Sequence, residues 1–126
     1  MKKFIYLLLM MISLVNLAVA EPTSSKPVIL QVTETTIVVD GRPSQVFSVK
    51  QPDGTFGYIG TKGQDFNVIV QNKTHVPLVL HWHGLIDPND QDGVPYVTQL
   101  PIPPGGNYHY HFELKQAGTY WLHSHY

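Results

Sequence analysis

The hydrophobic positions of this chain fall into short runs with a period of about two. Phe66-Asn67-Val68-Ile69-Val70-Gln71-Asn72 alternates apolar and polar side chains, as expected of a strand with one buried face. Residues 28–39, VILQVTETTIVV, are rich in β-branched residues and stop at Asp40-Gly41, a strong hairpin turn signal. Val46–Val49 reads as the returning strand, and Pro52-Asp53-Gly54 as the next turn. A short strand is expected at Phe56–Ile59, and another from Val76 to Trp82, with Pro77 implying an edge or a bulge near its start. Leu85–Gly106 carries five prolines and three glycines and reads as irregular. Two strands follow, Asn107–Leu114 and Thr119–Ser124, separated by an Ala117-Gly118 turn. No stretch after residue 20 shows helical periodicity. The pattern predicts an all-β sandwich or barrel.

The first twenty residues read differently. Met1-Lys2-Lys3 is a positive start, Phe4–Val19 is apolar apart from Ser13 and Asn16, and Ala18-Val19-Ala20 is a cleavage signature. Residues 1–20 are therefore expected to be a secretory signal peptide, and residues 21–126 a single exported domain, periplasmic or secreted, with no membrane attachment after cleavage. With no cysteine beside the cleavage site, a lipid anchor is not expected. Loss of Lys2 and Lys3 would make the formal charge of −1 more negative by two, and no basic stripe is present, so nucleic acid is not an expected partner. The chain has no cysteine. It can form neither a disulfide nor a thiolate metal site, and a blue-copper centre, which needs a cysteine, cannot be built from it.

The chemistry is concentrated in histidine. Of seven histidines, four form two His-x-His pairs, His81-Trp82-His83 and His123-Ser124-His125. Imidazole is a common ligand for copper, zinc and iron. On a strand, each pair projects both rings from one face, with Cα atoms about 6.5 Å apart. One metal per pair, or a pair shared by two neighbouring metals, both satisfy that spacing. Ser124 should point away from its flanking histidines and is a poor nucleophile. A third pair, His109 and His111, is expected to face solvent without a functional ligand role, because Tyr108, Tyr110 and Phe112 claim the buried face of that strand. His75 is expected in an exposed loop.

The motifs between and around the pairs carry a resemblance. Leu80-His81-Trp82-His83-Gly84-Leu85, Gln91-Asp92-Gly93-Val94-Pro95, Thr98-Gln99, Pro101-Ile102-Pro103-Pro104-Gly105, Tyr108-x-Tyr110-x-Phe112 and Gly118-Thr119-Tyr120-Trp121-Leu122-His123-Ser124-His125 occur in that order. Together they resemble the first, plastocyanin-like cupredoxin domain of multicopper oxidases, a family that includes laccases, ascorbate oxidase, ferroxidases and copper-resistance oxidases. The likeness is dense over residues 64–126 and loose over 28–63, where the family's N-G-x-x-P-G-P segment is replaced by Gln51–Gly60. It implies a cupredoxin-like Greek-key β-sandwich, left incomplete at its C-terminal strand, with an unpaired edge and an open core.

The resemblance also implies roles. His81 would bind the type-2 copper, and His83, His123 and His125 the type-3 pair. Asp92 would lie beside the cluster and serve proton supply during reduction of dioxygen to water. Asp-Gly is also a turn signal, and both roles are compatible. The chain would then hold four of the eight cluster histidines. Oxidation of a reducing substrate by dioxygen would need the domains that carry the others and the type-1 site. Two further readings remain open at this point. One is a stand-alone periplasmic copper-binding or buffering module. The other is a cupin-like mononuclear metal enzyme, echoed by Pro104-x-Gly106-x-x-His109, although no glutamate follows His83 at cupin spacing.

Overall fold

A computed structural model describes residues 26–126; the expected signal peptide lies outside the described residues. Six strands form two sheets: β1 (Val28–Val39), β2 (Arg42–Lys50), β3 (Asp65–Asn72), β4 (Leu80–His83), β5 (Asn107–Glu113) and β6 (Trp121–Ser124). One sheet has the order β2-β1-β3-β5, with β1 and β3 parallel and the other neighbours antiparallel. The second is the antiparallel pair β4-β6. This is the all-β, cupredoxin-like sandwich that the pattern and the resemblance implied.

The period-two alternation decides which side chains meet between the sheets. Leu30, Val32, Phe66, Val68, Val70, Tyr110 and Phe112 of the four-stranded sheet face Leu80 and Trp82 of the pair, and all are buried. An aromatic cluster joins the layers: Phe66 packs edge-on to Trp82 with centroids 4.8 Å apart, and Trp82 packs edge-on to Tyr110 at 4.9 Å. Phe112 stacks on Phe66 at 4.7 Å. A groove of about 750 Å³ lies beside this core, lined by Val49, Tyr58, Phe66, Trp82, Leu114 and Leu122 among others.

Several expected boundaries shift for local reasons. The β1–β2 hairpin closes immediately, because Asp40 and Gly41 take φ of 48° and 75°. Strand β2 thus begins at Arg42 rather than Val46, and Pro43 fits because β2 is an edge strand. β1 pairs with β3 only from Val28 to Val32, so its remaining residues form a two-stranded arm with β2. The strand expected at Phe56–Ile59 reduces to one bridge between Lys50 and Phe56, since Gly54 and Gly57 break the extended backbone at φ of 93° and 66°. The strand expected from Val76 begins at Leu80, preceded by a single bridge from Leu78 to Ile102. Pro77 offers no N–H to a ladder. Thr119 and Tyr120 likewise stay outside β6. Leu85–Gly106 is irregular as expected, apart from a 3-10 turn at Asn89–Gln91.

The backbone between β3 and β4 is held by a side chain instead. Asn72 is fully buried. Its Nδ2 donates to the carbonyls of Val76 at 2.8 Å and Ile102 at 2.9 Å. Its Oδ1 accepts from the Thr74 amide at 2.9 Å and the Thr74 hydroxyl at 2.7 Å. All four bonds end with the side chain; the Val76 and Ile102 carbonyls keep the Thr74 hydroxyl and the Leu78 amide, but the buried Thr74 amide is left without its partner. We expect Asn72→Ala to lower the unfolding free energy by about 3 kcal/mol, read from urea-denaturation midpoints.

Candidate metal centre

The register of the short sheet assembles the histidines. His81 pairs with His123, and His83 with Trp121. Leu80, Trp82, Leu122 and Ser124 alternate with them and turn the other way, which places Ser124 off the histidine face as expected. The backbone amide of His125 donates to the Val79 carbonyl at 3.1 Å, extending the pairing by one step. One face of β4-β6 therefore carries His81, His83, His123 and His125.

The ligand nitrogens of His81, His83 and His123 all lie within 4.8 Å of one another. His83 Nδ1 and His123 Nε2 are 3.4 Å apart. His125 lies outside that close triplet, but its ring stacks on His81 with centroids 4.9 Å apart and planes 12° apart. It also stands edge-on to His123 at 5.2 Å. An all-nitrogen donor set without thiolate suits copper or zinc.

Tautomers follow from the acceptors. His81 Nδ1 donates to the Asp92 carbonyl oxygen at 2.7 Å, and Asp92 Oδ1 lies 3.2 Å from the same nitrogen. The Nε2 of His81 is thereby left as the lone-pair nitrogen, the arrangement by which metal-binding histidines are commonly oriented. His123 is fixed in the same sense, its Nδ1 donating to the Ser124 carbonyl at 3.1 Å.

Asp92 reaches His81 because the loop lies directly on β4. It caps the 3-10 turn, and Gly93 follows with φ of 76°. A Cβ at Gly93 would overlap the Leu80 carbonyl oxygen and stand 3.1 Å from the His81 Cα. That same carbonyl accepts the buried Tyr110 hydroxyl at 3.2 Å. The Asp-Gly dipeptide is thus both a turn and a close backbone approach.

Two residues at the site were not singled out from the sequence. Trp121 shares the histidine face and stacks on His83 at 4.6 Å and on His123 at 4.7 Å. The signal was present: Trp121 and His123 of β6, and His125 just beyond it, recur at every second position. Asp87 is the other. Its Oδ2 is buried without a hydrogen bond among the described residues. Burial, together with the charge of Asp92, pushes its carboxyl up to about 6, while His81 opposes the rise. No sequence pattern marks it. His75 is exposed as expected, its amide bonded to Glu34 Oε1 at 3.0 Å.

A histidine cluster on one face of a cupredoxin-like sandwich defines a class, and comparison with known proteins gives its family. The multicopper oxidase family model matches residues 32–126, and the chain belongs to that family. It is 44% identical over 64 residues to copper resistance protein A of Pseudomonas syringae pv. tomato, which covers 51% of this chain and 10% of that protein. It is 37% identical over 133 residues to laccase-1 of Fomitopsis schrenkii, covering 96% of this chain and 24% of that one. Among solved structures, a multi-copper oxidase from Pseudomonas thermotolerans superposes with a TM-score of 0.69 at 31% identity, over 79% of this chain and 25% of that one. The chain thus spans a tenth to a quarter of the length of these relatives. Membership implies copper as the family's metal.

Two substitutions probe this geometry. Gly93→Ala should destabilise the fold by about 2 kcal/mol or more, and should detach Asp92 from His81, visible as a changed His81 imidazole NMR signal. For Asp87, the folded state binds the proton more tightly than the unfolded state between about pH 4 and pH 6, so stability falls as pH rises through that window. Asp87→Asn should therefore be more stable than the parent above pH 6, with the difference shrinking on acidification, as measured by thermal melts across pH.

Proposed function

We propose that this chain is the N-terminal, plastocyanin-like domain of an exported multicopper oxidase and supplies half of the ligands of its trinuclear copper cluster. The observation that carries this is the convergence of His81, His83 and His123 within 4.8 Å, with His125 stacked on His81. His81 is assigned to the type-2 copper, and His83, His123 and His125 to the type-3 pair. Copper bound there would supply the redox chemistry by which dioxygen is reduced to water at the expense of a reducing substrate. The chain's own residues hold and orient. The Asp92 carbonyl keeps a proton on His81 Nδ1 and so presents Nε2 outward. The Asp92 carboxylate, 3.2 Å from that nitrogen, is assigned the supply of protons to the cluster. Trp121 backs His83 and His123 and limits how far either ring can turn.

Residues 1–20 are assigned to a signal peptide that directs residues 21–126 to the periplasm or the exterior. Without cysteine the chain holds no type-1 copper, so substrate oxidation is assigned to the whole oxidase and not to these residues alone. The alternative of a stand-alone copper-buffering module uses the same imidazoles. The cupin-like reading is disfavoured by the register, which puts both His-x-His pairs on one face.

The test is copper binding by the exported chain, measured by equilibrium dialysis with its N-terminus mapped by mass spectrometry. We expect an N-terminus at Glu21, copper bound through imidazole nitrogen, and no dioxygen consumption with added reductant. His81→Gln and His123→Gln should each weaken copper binding by more than about tenfold, at least what loss of an orienting partner costs. Unchanged binding in a His123→Gln/His125→Gln chain would point to the mononuclear reading. Sustained dioxygen reduction by this chain alone would remove the half-site assignment.

A further inference from the structure

The outer face of the four-stranded sheet carries a second set of imidazoles. His109, His111 and Glu113 recur at every second position of β5, opposite to the buried Tyr110 and Phe112. On β3 the neighbouring positions of that face are Asp65 and Asn67, in the register Asp65 with Glu113 and Asn67 with His111. His109 and His111 stack with centroids 5.7 Å apart and planes only 17° apart. This face lies on the opposite side of the sandwich from the His81 cluster, because Trp82 on β4 and Tyr110 on β5 meet between the sheets.

A hydrogen bond and an ion-pair contact across to β3 give the pair its chemistry. His109 Nε2 is 2.7 Å from Asn67 Oδ1, and Asn67 is only 5% exposed. His111 Nε2 is 3.5 Å from Asp65 Oδ2. Both partners are acceptors: the Asn67 bond puts the His109 proton on Nε2, and the Asp65 carboxylate favours the same tautomer at His111. Their Nδ1 atoms are left as lone-pair nitrogens, and neither has a hydrogen-bond partner among the described residues. Two histidines on one strand face, each steadied through one nitrogen by an oxygen and open at the other, reproduce the support that metal-binding imidazoles usually have. The Asp65 and Glu113 carboxylates beside them supply negative charge for a dication. A metal bound at about 2.0–2.1 Å from each nitrogen requires the two rings to lean together, which their exposed positions allow.

We propose that His109 and His111 form a second metal site that takes a divalent, imidazole-seeking transition cation, copper(II) ahead of zinc(II). The residues that orient the rings are Asn67 and Asp65. The site is separate from the His81 cluster, and the proposal does not rest on the function assigned to that cluster.

The experiment is an NMR titration of the full chain with copper(II), which broadens amide signals near the bound ion. The expected result is two separate zones of broadening, one on β4 and β6 and one centred on His109 and His111. In a His109→Gln/His111→Gln chain the second zone should stay sharp while the first is unchanged. Asp65→Asn should weaken the second event by about tenfold. Broadening confined to β4 and β6, or broadening at β5 that survives the double substitution, would overturn the site. A second measurement needs no variant: zinc(II) added to the unsubstituted chain should shift the Nδ1 resonances of His109 and His111 and leave Nε2 protonated. Unmoved Nδ1 resonances would also overturn it.

Discussion

The burial of Trp82 is the constraint on which the site depends. Strand β4 is four residues long and, among the described residues, pairs only with β6, another four-residue strand. So short a pair has little to hold its register by backbone bonding alone. What holds it is the indole, 4% exposed and clamped edge-on between Phe66 and Tyr110. Side chains alternate along a strand, so turning Trp82 inward turns His81 and His83 outward together. A slip of one residue would bury two imidazoles and expose the largest side chain in the core. The apolar packing and the placement of the two imidazoles are therefore one event.

The loop that follows β4 is subordinate to the same strand. Gly93 lies against the Leu80 carbonyl, which also receives the Tyr110 hydroxyl. With the backbone that close, Asp92, the residue before the glycine, meets the His81 ring through its carbonyl and its carboxylate. The 3-10 turn then runs along the free side of β5, where Gln91 Oε1 accepts from the His111 amide and the Asp90 carbonyl from the Tyr108 hydroxyl. The first contact occupies a backbone amide on an edge strand that would otherwise invite pairing, and the second ties the turn to that strand.

Much of this was legible in the sequence, for reasons that differ by element. β1, β3 and β5 are long enough for their alternation to be read directly, and β5 shows its faces clearly because aromatic and imidazole residues interleave. The two His-x-His pairs announced their common face in the same way. The start of β4 was misplaced because apolar composition continues through Val76–Val79 while its hydrogen bonds go to the Asn72 side chain and to Ile102. Trp121 was overlooked because it was taken only as part of a family motif. Asp87 was not found, because no sequence pattern marks a lone aspartate whose carboxyl oxygen is buried without a partner. The match to the multicopper oxidase family confirms the fold and the presence of copper chemistry in the lineage; the role of each imidazole rests on geometry and likeness together.

The β1–β2 hairpin has a dynamic consequence. Beyond Val32, β1 loses its contact with β3, and Glu34–Val39 are exposed on both faces, including Ile37, Val38 and Val39. An isolated two-stranded ribbon is marginal in water. Its amides should open by local fraying, at a free energy well below that of global unfolding, while those of β3 exchange only when the sandwich comes apart. The molecule therefore has two levels of cooperativity, a pliant arm and a rigid body, and the histidine cluster belongs to the rigid one.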